Sequence, residues 1–97
     1  SEEVIIPYKS PLDNRVHRYY PDFYVKARTR DGRIARSIIE VKPAAQTKPP
    51  RKRKKTRAFL SEVKTWNVNS AKWRAARQFC AHKGFQFIIL TEKHLNL

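Results

Sequence analysis

Short apolar-rich runs fill the first half of the chain, and helix-spaced apolar residues fill the second. Residues 3–8, 17–28 and 34–42, rich in Ile, Val, Tyr and Phe, each predict a strand. Pro7 and the stretch Ser10-Pro11-Leu12-Asp13-Asn14 close the first. Asp31-Gly32 is a hairpin signal between the second and third. Pro43 ends the third, because it has no N–H to give a ladder. Residues 43–57 read as a basic, Pro-rich loop. Phe59, Val63 and Trp66 recur at helical spacing, as do Trp73, Ala76 and Cys80. The polar stretch Asn67-Val68-Asn69-Ser70 is a poor helix interior, so Asn69 or Ser70 is expected to cap a new helix running to about Lys83. Gly84 stops it, residues 85–90 form a short buried strand, and Thr91 caps a final turn. The order β-β-β-α-β predicts an α/β domain, a mixed sheet with helix packed on one face.

Alternation along the strands brings particular side chains together. Glu40 and Lys42 point one way, Ile39 and Val41 into the opposite layer, while Asp22, Tyr24 and Lys26 share a face of the preceding strand. A two-residue loop at Asp31-Gly32 sets Asp22 opposite Val41 and separates the carboxylates. A three-residue loop, Arg30-Asp31-Gly32 with Gly32 left-handed, sets Asp22 opposite Glu40, with Cα atoms about 4.5–5.5 Å apart. Two carboxylates so placed repel unless a cation sits between them or one takes a proton. Mg²⁺ suits such a pair, because it takes one or two carboxylates with waters and phosphate oxygens. The chemistry therefore favours the three-residue loop. The Val41 carbonyl completes the inner shell in this reading, and Lys42 orients the attacking water and stabilises charge on a phosphate. A Glu-x-Lys in a strand is ordinarily a solvated face with a weak ion pair. Ile38, Ile39 and Val41 argue against that here, because they mark a buried strand, where unpaired charge is costly.

Charge strengthens the picture. The 97 residues hold 22 Lys and Arg against 8 Asp and Glu, a net +14 that points to a polyanion, nucleic acid first. No apolar run approaches the ~18 residues of a membrane span. Lone Cys80 forms no internal disulfide and, with three scattered His, gives no zinc spacing, so a reducing compartment is expected. Lys48, Arg51, Lys52, Arg53, Lys54, Lys55 and Arg57 are expected to clamp DNA phosphates without reading sequence, and to order on binding. A nuclear localisation signal has the same composition. Lys72, Arg74 and Arg77 extend the surface along the helix. Trp66 and Trp73, seven apart, belong to the core. Tyr19, Tyr20 and Tyr24 divide between core and cleft rim. His17 is read as a surface or core residue, with an orienting role near Asp22 as the alternative. His82 and His94 carry no signal.

Pro21-Asp22 followed by Glu40-Val41-Lys42 resembles the signature of the PD-(D/E)xK nuclease superfamily. Ile6-Pro7-Tyr8, His17-Arg18-Tyr19, Ile39 to Pro43, Gln46-Thr47-Lys48-Pro49-Pro50, Ala71-Lys72-Trp73 and Leu90-Thr91-Glu92-Lys93 extend the likeness over nearly the whole chain. Together they resemble the head completion nucleases of T4-like tailed phages and, more distantly through Pro-Asp-Phe and Glu-Val-Lys-Pro, the TnsA-type transposon endonucleases. The resemblance implies a restriction-endonuclease-like fold and a Mg²⁺-dependent endonuclease (Mn²⁺ as substitute) with Asp22, Glu40 and Lys42 catalytic. It implies DNA as substrate, portal and neck proteins as partners, and work in the host cytoplasm during assembly with retention at the virion's head-neck region. Members usually carry a preceding helix with a further acidic residue. This chain opens after that position, which suggests an N-terminal truncation, and neither Glu2 nor Glu3 replaces it. Two other readings compete: a catalytically idle DNA-binding neck component, and a transposon endonuclease subunit that needs partners.

Overall fold

A computed structural model describes residues 3–95, so Glu2 lies outside the described residues. Its elements are β1 (Ile6–Lys9), β2 (Val16–Tyr19), β3 (Phe23–Arg28), β4 (Ile34–Val41), a 3₁₀ turn (Ala44–Thr47), α1 (Arg57–Lys83) and β5 (Gln86–Leu90). The fold is mixed α/β and restriction-endonuclease-like, as expected, with one more strand than the sequence suggests. The run 17–28 is two strands in two sheets. Pro21, buried and without an N–H, interrupts the ladder and biases Tyr20 to extended geometry. β2 therefore pairs antiparallel with β1, and β3 starts a separate three-stranded sheet, in the order β3-β4-β5. β3 and β4 are antiparallel and β4 and β5 parallel, so this sheet is mixed.

α1 does not break at residues 67–70. The buried positions Asn69, Trp73, Ala76 and Cys80 form one stripe that runs through the polar stretch. Burial of that stripe outweighs a helix-propensity deficit of under about 1 kcal/mol per residue. The Thr56 side chain caps the helix by accepting the Phe59 N–H at 3.1 Å, and left-handed Gly84 (φ 74°) ends it. Val4, Ile6, Tyr8 and Tyr19 meet Ile38, Ala76 and Cys80 in the core, with Val68, Ala71, Phe79 and Phe85 packed around them. Thr91 caps the closing turn by accepting the Lys93 N–H, and the His94 ring closes onto it.

The two faces of the β3-β4-β5 sheet differ. Ile38 is fully buried on the face that also carries Glu40. The opposite face carries Phe23, Val25 and Val41, which are 55%, 41% and 42% exposed. The expectation that Ile38, Ile39 and Val41 all mark a buried strand thus holds for Ile38 alone, with Ile39 half-buried.

Candidate active site

The β3–β4 turn positions the site. Arg28 pairs with Ile34, the Thr29 N–H donates to the Arg33 carbonyl at 2.8 Å, and Gly32 takes φ 83°. Arg30, Asp31 and Gly32 thus form the three-residue loop, with glycine at the one position that needs the left-handed conformation. The Thr29 hydroxyl contacts the Asp31 carboxylate and accepts the Arg33 N–H at 3.1 Å, which locks the loop. Phe23 then pairs with Ile39, and the register carried one step further sets Asp22 opposite Glu40.

At that end the two carboxyl groups hydrogen-bond to each other. The Val41 N–H donates to Asp22 Oδ2 at 2.8 Å, which fixes one carboxylate just beyond the last paired residue. Glu40 is 5% exposed, and the buried Tyr19 hydroxyl donates to its Oε2. Burial raises the Glu40 pKa; the Tyr19 bond pulls the other way, and Asp22 beside it pushes it further up. Asp22 is held below the usual carboxylate range: its partial burial opposes this, but the Val41 N–H, the hydrogen bond with Glu40 and the Lys42 charge outweigh it. Tyr19 is raised, by burial first and by its bond to Glu40 second, so it stays a donor. Lys42 is half-buried next to both acids and favours the charged form of each. The corner thus holds one fixed carboxylate, one protonatable carboxyl and a cation.

Tyr19 and Glu92 also belong to this corner; the sequence carries them only inside the strings His17-Arg18-Tyr19 and Leu90-Thr91-Glu92-Lys93, which give neither a role. The Glu92 carboxylate accepts the Ala44 N–H at 3.0 and 3.2 Å and so fastens the chain where it leaves Lys42. His17 takes no part, since its Nε2 lies 2.7 Å from Asp13 Oδ2. Tyr20 is 52% exposed, and Tyr24 packs against Phe85 with ring centres 5.8 Å apart.

Lys48, Arg51, Lys52, Arg53, Lys54, Lys55 and Arg57 are all exposed. Arg57 is the first residue of α1 rather than part of the loop. Arg53 bonds Glu62 at 2.8 Å and lies 4.9 Å from the Phe59 ring centre, so the segment has an anchor on the helix that its composition does not suggest. Trp73 is core, at 4% exposed, whereas Trp66 is half-exposed.

The profile of the TnsA-like endonuclease N-terminal family matches residues 1–92. The chain belongs to that family. Within the TnsA-like family's match lie both the hairpin with its paired carboxyls and the helix behind it. The chain is also 35% identical over 100 residues to the head completion nuclease of Enterobacteria phage T4, an alignment that spans 98% of this chain and 64% of that protein. No solved structure gives a significant match.

Proposed function

We propose that the chain is a single PD-(D/E)xK nuclease-like domain, a divalent-metal-dependent DNA endonuclease, with Asp22, Glu40 and Lys42 as its catalytic residues. The observation that carries this reading is the Asp22–Glu40 carboxyl pair at the open end of the β3–β4 hairpin. Two carboxyls in mutual contact, one of them buried and raised in pKa, form a donor set that a small hard cation would relieve. Asp22, Glu40 and the Val41 carbonyl would hold Mg²⁺, or Mn²⁺ in its place. When bound, the ion supplies a Lewis acid for the phosphoryl oxygen and a water of lowered pKa.

The chain's own groups do the rest. Lys42 orients the attacking water and stabilises negative charge that develops on the phosphate. Tyr19 fixes the Glu40 carboxyl through its hydroxyl, and the Val41 N–H fixes Asp22. The exposed cations from Lys48 to Arg57 hold the DNA backbone.

The relative's name supports a role in phage head completion, and on this reading the chain acts at the end of the packaged genome or in head–tail joining. The partners on this reading are DNA and the portal and neck proteins, in the host cytoplasm during assembly and then at the virion's head-neck region. Among the described residues no helix is long and apolar enough to cross a membrane. The family match over residues 1–92 favours a second reading, a transposon-type endonuclease subunit that cuts only with its partners. Incubation of the chain with duplex DNA and Mg²⁺ tests the assignment: cleavage is expected, and Asp22→Asn should abolish it. Equal cleavage by both proteins would sink the reading; cleavage only after a partner is added would select the transposon-type one.

A further inference from the structure

A cleft lies between α1 and β5. It has a volume of about 370 Å³, and its walls include Thr47, Ser70, Trp73, Arg74, Arg77 and Ile89. No Asp or Glu lines it. Arg77 is held in place, its guanidinium carbon 5.6 Å from the centre of the Phe87 ring. Neither Arg74 nor Arg77 has a carboxylate partner among the described residues. Two guanidinium groups without a carboxylate partner in one cleft form a site for an oxyanion.

Its location says which oxyanion. Ile89 is the register partner of Glu40 across the parallel β4–β5 pair, so its side chain shares the Glu40 face one strand away. Adjacent strands lie about 4.8 Å apart. One wall of the cleft, at Ile89, therefore lies next to Glu40 across the sheet. We propose that this cleft is a phosphate subsite, in which Arg74 and Arg77 grip a DNA backbone phosphate next to the one being cut. This rests on the nuclease reading and adds to it a defined contact that sets the register of the DNA strand over the site.

The test is binding of the whole chain to a short duplex without divalent metal, with single phosphates replaced in turn by neutral methylphosphonate. The unaltered chain should lose about tenfold in affinity at one position near the cut, the scale of a charge-assisted contact. The double variant Arg74→Gln/Arg77→Gln keeps long polar side chains and removes both charges. It should bind the natural duplex about tenfold more weakly and be indifferent to that replacement, with its salt slope shallower by about one. Undiminished binding by the arginine variant, or undiminished sensitivity at the same phosphate, overturns the subsite. Cleavage that survives Asp22→Asn overturns the nuclease assignment and leaves the subsite standing. An unaltered chain that binds no duplex overturns both.

Discussion

The carboxyl corner and the basic segment both depend on charge, and they are built in opposite ways. Asp22, Glu40 and Lys42 are set by strand register, by burial and by named donors from Tyr19 and Val41. The cations from Lys48 to Arg57 are exposed, and of these Arg53 alone has a carboxylate partner among the described residues. Bond cleavage depends on where a few groups sit, so the fold commits a hairpin and a buried acid to them. Hold on a polyanion depends on how much charge lies near it, which a Pro-flanked segment supplies with little structure. Substitutions in the first region should therefore act on rate, and those in the second on affinity and its salt dependence.

The largest effect should come from the corner. Lys42→Ala is expected to leave folding and DNA binding intact and to lower Mg²⁺-dependent cleavage by about a hundredfold or more, the size of a transition-state electrostatic contact. Single-turnover cleavage checks it, and a loss of affinity with no change in rate would erase the contrast between the regions.

Replacing Arg51 to Lys55 with serine should do the reverse. If about five charges meet phosphate, log affinity should fall with log salt at a slope near −4 to −5, and the serine variant should flatten that slope for all sequences alike. Arg53 is already engaged with Glu62 and Phe59, so it should contribute less than Arg51 or Lys52. An unchanged slope would make the segment a bystander.

Much of the corner is legible in the amino-acid sequence. Asp22, Glu40 and Lys42 stand out because strand alternation and a Gly-containing turn restrict which side chains can meet. Position 32 decides the register, since glycine there accepts φ 83° and lets the loop close over three residues. The break between β2 and β3 has a local signal in Pro21 itself, masked by the β-formers on both sides. Two other features have no local signal. The unbroken helix through residues 67–70 follows from burial of Asn69 in the stripe that continues to Cys80, which local propensity does not register. The Tyr19–Glu40 bond joins residues 21 apart, across two sheets, and no local pattern encodes such a contact. The basic segment is legible as charge, but its anchor on Glu62 is not.

A smaller effect separates chemistry from stability within the corner itself. The folded-state pKa of Glu40 is raised, so its contribution to stability is present below the ordinary carboxylate range and is lost as pH rises through the folded value. Asp22 acts in the opposite sense: its contribution is present above the ordinary range and is lost as pH falls through its lowered value. Glu40→Gln mimics the protonated acid, so in metal-free buffer near neutral pH it should unfold at a slightly higher temperature than the unaltered chain, while cleaving nothing. The advantage should shrink as the pH is lowered into the carboxylate range. Thermal unfolding at both pH values checks this, and a variant less stable at neutral pH would mean that Glu40 is not held against its charge.

The central claim is that Asp22 and Glu40 together hold one divalent cation. Titration of the chain with Mn²⁺, followed by electron paramagnetic resonance, tests it most directly. One ion should bind, and neither Asp22→Asn nor Glu40→Gln should bind at that concentration. Equal Mn²⁺ uptake by the unaltered chain and both variants would contradict the account.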